Sequence, residues 1–352
     1  MRQSAQRALV PEERPSAEVH LDDWVAPEIA DEHGYIRAGK ILEWMDVVGA
    51  LAAARHCHRP VVTASVDGIE LRQPIRVGEK VTMTAVLGYT SARSMGVSVS
   101  MSHGRPEDGA PRRSLDGYMT FVALDEKGEP TPVPQLRPET PEALVRFREG
   151  RMRREFRNKL LAGQLPPLAP AEQRDNALFI RELMKLLPRS FQLAERATRD
   201  PRISYVHKIE PVRGGKLNFH GTLYGGTLMR WIETCAQLSA RSYLHGAAVR
   251  LTGLHGLTFI RPVERHQFIH IRSVVAHTTS DSLTALVNVH AEDPIASNQV
   301  ETLRAFLTYG PVAPGTVVSP LTCSGEEERA IFDEIAHRLV LQRSLQPQPS
   351  LG

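Results

Sequence analysis

Two carboxylates stand at matching places in this 352-residue chain. Asp46 lies at the edge of the run Val47 to Ala54 (VVGALAAA), which holds no charged or strongly polar side chain, and Glu233 occupies the corresponding place in a second copy of the segment. An ionised carboxylate beside an apolar helix is costly unless it is hydrogen-bonded or at work as a base or nucleophile, and partial burial raises its pKa toward a useful range. Gly225 and Gly226 are a second chemical feature. They open a stretch with helical patterning, where unpaired N–H groups and the positive end of the dipole coincide and where a missing side chain lets a carbonyl approach the backbone.

The elements that must carry these groups come in duplicate. DEHGYIRAGKILEWMDVVGALAAARHC, from Asp31 to Cys57, returns as NFHGTLYGGTLMRWIETCAQLSARSY from Asn218, and Trp231 minus Trp44 and Glu233 minus Asp46 both give 187. One segment used twice marks a tandem duplication. Ala38 and Gly39 open the first helix; a helix apolar on all sides, as Val47 to Ala54 implies, is expected to be wrapped by other elements. Period-two alternation then predicts strands over 61–71, 80–88, 95–102 and 116–124, an antiparallel sheet after one central helix, hence an α+β unit. In the second copy the helix is expected over 225–243 and the strands over 249–259, 267–276, 284–291 and 302–309, with leading strands over 17–25 and 203–212. The domains expected are 17–125 and 203–312. A Pro-rich and charged connector over 126–202 carries helices near 142–161 and 176–187, and a tail over 313–352 carries a short one near 326–341.

Composition narrows the class. The net charge is +3 with a pI near 8.8, and no long run of Lys or Arg tracks a surface, so no nucleic-acid partner is expected. The Arg cluster from Arg146 to Arg157 reads as a solvated helical face. Cys57, Cys235 and Cys323 are isolated, without CxxC spacing, which argues against a disulfide framework or a metal site and suits a reducing compartment. The first residues carry no apolar signal core, and no stretch reaches the roughly 18 apolar residues of a membrane span, so a cytoplasmic protein is expected.

HGYIRAGKILEWMD, HGTLYGGTLMRWIE, ARHCHRPVVTASVDGIEL and PVPQLRPETPEA together resemble the tandem hotdog acyl-CoA thioesterases, the two-domain acyl-CoA hydrolases of the cytosolic kind. The resemblance covers about three quarters of the chain. It implies two hotdog domains, each a long helix wrapped by a curved antiparallel sheet and paired like a single-domain dimer, assembly of such chains in threes, and hydrolysis of fatty acyl-CoA with no cofactor beyond the CoA of the substrate.

The active site of the resembled family is composite: an Asn or Gln ahead of one helix works with an Asp or Glu on the other. That implies Asn218 paired with Asp46 as the competent site, with Gly225 and Gly226 at the helix end, and Asp31 paired with Glu233 as a degenerate one, since two carboxylates oppose both ionisation and carbonyl polarisation. His33 and His220 are expected to fix their loops through hydrogen bonds. Thr63, Ser65, Arg93 and Ser94 occupy stretches that contact CoA or shape the pocket in the resembled family. A non-catalytic acyl-CoA binding or scaffolding protein is the alternative; a hydratase ranks last, because neither helix carries the required His with a carboxylate partner.

Overall fold

The computed structural model describes residues 13–14, 17–161 and 201–321 apart from 297, together with 331, 333–336 and 338–339. The first repeat contains β1 (Glu18–Trp24), α1 (Ala38–Cys57), β2 (Val61–Leu71), β3 (Lys80–Thr90), β4 (Ser94–Gly104) and β5 (Arg112–Ala123). Helix α2 (Pro141–Leu161) follows. The second repeat contains β6 (Val206–Pro211), α3 (Gly225–Tyr243), β7 (Val249–Phe259), β8 (Phe268–Thr278), β9 (Leu283–Asp293) and β10 (Asn298–Pro311). The expected helices over 176–187 and 326–341 and Cys323 fall wholly or partly outside the described residues; helix is present within 331–339.

These ten strands join one sheet in the order β1-β3-β4-β5-β2-β7-β10-β9-β8-β6. The repeats meet where β2 pairs antiparallel with β7, Val66 opposite Leu257 and Ile69 opposite Leu254. Val66, Ile69, Leu254 and Leu257 are each no more than 1% exposed, so the seam lies in the core rather than on its surface. Along the inner strands buried apolar residues largely alternate with less buried ones and pack into the core with the helices, which is why a sheet wraps each helix.

α1 and α3 pack on the same concave face and touch each other through their N-terminal turns. A Cβ at Gly39 would lie 3.2 Å from the Arg230 Cα, and one at Gly226 3.2 Å from the Glu43 Cα. Larger residues at either point would force the helices apart. α1 is not wrapped on all sides, contrary to the expectation from its apolar run: Val47 is 55% and Leu51 42% exposed. Its sheet and α3 cover the other faces and leave this strip open.

α2 packs on the convex face of the first half of the sheet. Phe147 lies against Tyr89, with ring centroids 5.1 Å apart, and Gly150 comes so close that an added Cβ would sit 2.3 Å from the Tyr89 Cβ. The Arg-rich segment expected to be a solvated face therefore presents part of itself to the sheet, with the Arg153 guanidinium 5.1 Å from the Tyr118 ring centroid. In the second half Arg338 lies over Phe306 at 4.6 Å, a counterpart of that contact.

Candidate active site across the repeats

A helix N-terminus leaves N–H groups without intrahelical partners. The N-cap residue of α3 is Tyr224, whose side chain makes no capping bond. The cap comes instead from the other repeat: the Gly226 N–H donates to Asp46 Oδ2 at 2.7 Å. Asp46 Oδ1 accepts from the Thr63 hydroxyl at 2.5 Å. Burial pushes the Asp46 carboxyl above its ordinary value, while Thr63 and Gly226 pull it back down and the nearby Glu43 charge raises it. Asp46 is 6% exposed, so its oxygens are satisfied by two donors and little water.

The same device recurs in mirror position. Glu233, 4% exposed, accepts from the backbone N–H of Gly39 near the start of α1, whose N-cap Arg37 likewise makes no side-chain cap. Its hydroxyl partner comes from a different strand. Leu251 on β7 stands where Thr63 stands on β2, and Tyr309 on β10 supplies the hydroxyl, 3.4 Å from Glu233 Oε1 and 3.1 Å from its carbonyl oxygen. Burial pushes the Glu233 carboxyl up to about 7, against the lowering effects of Tyr309, Gly39 and Arg37. Burial, with the Glu233 charge next to it, holds the Tyr309 phenol well above its ordinary value.

The loops ahead of the two helices share one construction. Asn218 Oδ1 accepts from the N–H groups of His220 (2.9 Å) and Thr222 (3.1 Å), and Asp31 Oδ1 accepts from those of His33 (2.9 Å) and Tyr35 (2.9 Å). Gly34 and Gly221, both at φ +77, let the chain reverse inside these turns. The second atom separates the copies: Asn218 Nδ2 donates to the Thr222 hydroxyl at 2.8 Å, where the first copy has Asp31 and Tyr35. His33 and His220 hold their loops through backbone N–H groups, not through their rings.

The structure therefore brings together Asp46, Thr63, Gly225 and Gly226. A Cβ on Gly225 would lie 3.2 Å from both Asp46 Oδ2 and Thr63 Oγ1. Asn218 is tied into its own loop by its carboxamide oxygen and by one of the two N–H bonds that Nδ2 carries. The Gly226 N–H, expected to be open to a carbonyl, is taken by the carboxylate.

Three further residues expected at the pocket have other surroundings. Ser65 faces the convex side, where it donates to Asp67 at 3.0 Å and meets Arg157 at 2.8 Å, because a β-bulge precedes it. Arg93 and Ser94 close the β3–β4 turn; Arg93 is exposed, and the Ser94 and Ser91 hydroxyls bond at 2.6 Å. Tyr309 was missed by sequence reasoning, although the change from Phe121 to Tyr309 at corresponding positions was readable once the repeats were aligned. Cys57 and Cys235 are buried thiols, and no group of metal-ligating side chains occurs among the described residues.

Two units of this build, each a long helix in an antiparallel sheet and each lending an acid to the other's helix end, define a hotdog pair. The thioesterase superfamily model matches the chain twice, over residues 33–110 and 220–297. The chain is 33% identical over 121 residues to an uncharacterized acyl-CoA thioester hydrolase of Bacillus subtilis, covering 34% of this chain and 70% of that one. It is 37% identical over 140 residues to the cytosolic acyl coenzyme A thioester hydrolase of Rattus norvegicus, covering 39% of this chain and 36% of that protein's length. A solved structure from Lactobacillus plantarum, assigned as an oleoyl thioesterase, shares the fold at a TM-score of 0.52 and 9% identity, over 85% of this chain and 98% of that one. The chain belongs to the thioesterase superfamily, and its fold is a tandem of two hotdog domains.

Proposed function

We propose that this chain hydrolyses acyl-CoA thioesters to a free acid and CoA at one composite site formed by Asp46, Thr63, Asn218 and the start of α3. The observation that carries the proposal is the seating of Asp46 from one repeat on the helix end of the other, beside a glycine whose missing side chain leaves room at the carboxylate. In the reaction the Asp46 carboxylate takes a proton from a water molecule as that water attacks the thioester carbonyl carbon. The C–S bond then breaks, and the proton passes to the departing thiolate. Thr63 and the Gly226 N–H favour the ionised form of the buried carboxylate and aim it. The remaining Asn218 N–H and the positive end of α3 stabilise the charge that grows on the carbonyl oxygen.

No cofactor other than the CoA of the substrate enters this scheme. Fatty acyl groups are the proposed acyl donors, and the cytosol is the proposed compartment, in keeping with the cytosolic hydrolase that the chain partly matches; among the described residues no helix is long and apolar enough to cross a membrane. Assembly into trimers is likewise proposed: Val47 and Leu51 on α1 and Leu238 on α3, each over 40% exposed, are apolar side chains that a second copy would cover. Release of free thiol from palmitoyl-CoA tests the assignment. Asp46→Ala and Asn218→Ala are each expected to lower kcat/KM by about a hundredfold or more, with Glu233→Ala doing much less. Full turnover in both of the first two variants would overturn the assignment, and acyl-CoA binding without thiol release in the wild type would make the chain a binding protein.

A further inference from the structure

β2 carries an extra residue at Ala64: Thr63 lies opposite Phe121, and the next residue paired, Ser65, lies opposite Thr120. Such a bulge resets the alternation of side chains along the strand. Without it Ser65 would share a face with Thr63. With it, Thr63 points at the helices, where its hydroxyl meets Asp46, and Ser65 points outward beneath α2, 2% exposed.

The outer side of this bulge is fastened by one side chain. Arg157 Nη1 lies 2.8 Å from Ser65 Oγ, 2.8 and 2.9 Å from the two Asp67 carboxylate oxygens, and 2.9 Å from Thr120 Oγ1. The Arg157 and Asp67 side chains are 17% and 13% exposed, so little solvent competes for this cluster. The second repeat has the same bulge, with Leu251 opposite Tyr309 and Gly253 opposite Thr308, but Gly253 and His255 replace Ser65 and Asp67. There His255 Nε2 meets Thr308 Oγ1 at 2.7 Å, and the inner residue, Leu251, offers no hydroxyl to the acid. In the second repeat Arg338 Nη1 reaches the His255 backbone carbonyl at 3.3 Å, whereas the cluster of Ser65, Asp67 and Thr120 side chains on an arginine occurs together with the acid-binding threonine in the first.

We propose that Arg157 is a positioning residue: by fastening the outer side of the bulge at Ala64 it holds the Thr63 hydroxyl on Asp46, so that α2 sets the working carboxylate through the thickness of the sheet. The inference rests on Asp46 being that carboxylate. Asp46 is met by the Thr63 hydroxyl from β2, by the Gly226 N–H from α3 and by the charge of Glu43 on its own helix. Glu43 in turn bonds Lys40 at 3.3 Å and lies 3.8 Å from Arg230. If the bulge relaxes, Asp46 keeps the Gly226 donor and loses Thr63, and it holds its proton to higher pH.

The test is a titration of Asp46 by NMR in full-length protein with 13C-carboxyl aspartate, its resonance assigned by its loss in Asp46→Asn. Arg157→Ala is expected to move the midpoint upward, in the direction of Thr63→Val, and to add nothing when made in the Thr63→Val background. Arg153→Ala, on the same helix and over the Tyr118 ring, should leave the midpoint where it is. In the thiol-release assay Arg157→Ala should lower kcat about tenfold, with KM near the wild-type value, and shift the acid limb upward. Arg157→Lys, which keeps the charge but places its nitrogen on a differently shaped side chain, should show a smaller shift of the same sign, and it carries both outcomes if the alanine variant does not fold. An unmoved Asp46 midpoint, or a full further shift on top of Thr63→Val, would overturn the role of Arg157. The titration needs no substrate, so absence of acyl-CoA turnover in the wild type would defeat the proposed function and leave the coupling measurable.

Discussion

Replacing Glu233 with glutamine should make the protein more stable at alkaline pH while changing little at pH 5. The folded-state carboxyl titrates at about 7 against an ordinary value of 4.5, with burial as the largest cause. Between those two values the unfolded chain has already given up the proton that the folded chain still holds, so stability falls as pH rises through the interval and then levels off. A gap of about 2.5 pH units corresponds to ~3 kcal/mol lost between pH 4.5 and 7. No discount for solvent applies, since Glu233 is 4% exposed. Glutamine has nearly the shape of the neutral acid, can still accept from Tyr309 and Gly39, and has no proton to lose. Urea unfolding of wild type and Glu233→Gln at pH 5 and pH 8 should give a difference that moves in favour of the variant by ~3 kcal/mol. A difference that is the same at both pH values would refute the reasoning, because it would mean that the buried carboxyl is not neutral when the chain folds at acid pH.

Two further outcomes are expected. Gly225→Ala places a methyl group 3.2 Å from Asp46 Oδ2 and Thr63 Oγ1, so kcat/KM in thiol release should fall about tenfold or more while unfolding free energy changes by under ~1 kcal/mol. Gly49→Ala drives a methyl to 2.8 Å from the Phe121 ring, deep in the first core, and should cost ~1–3 kcal/mol in urea unfolding with KM unchanged.

The duplication and both central helices were legible because their signals are local. Tryptophans and acids recur at one offset, and the α3 bounds of 225 and 243 follow from the glycine pair and the end of the apolar pattern. Strand ends were less legible: β5 begins at Arg112 and β10 at Asn298, both ahead of their alternating stretches, because pairing across a hairpin extends polar residues into the ladder. The site was half readable. Asp46 announced itself by lying beside an apolar run, and Gly225 by opening a helix. That the acid spends itself on the Gly226 N–H depends on the approach of two helices that no spacing within either one reveals. The bulge at Ala64 was invisible for a similar reason, since VVTASVDGIEL alternates well enough to conceal two extra residues, Ala64 and Asp67, the first of which misdirects Ser65. Arg157, one of many arginines in its segment, stands out only when folded against Asp67.

The β2–β7 seam has a consequence for how such a chain can change over time. Where two identical chains pair, every substitution arrives twice, and assembly depends on protein concentration. Here the partner is tethered, so the effective concentration of one half for the other is fixed by the chain itself and dilution does not dissociate it. A mutation also lands on one side of the pseudo-dyad alone. Aspartate with threonine on one side and glutamate with tyrosine on the other is the outcome that an untethered symmetric pair could not reach: one half-site can keep its chemistry while the other drifts, with the shared sheet holding both in register.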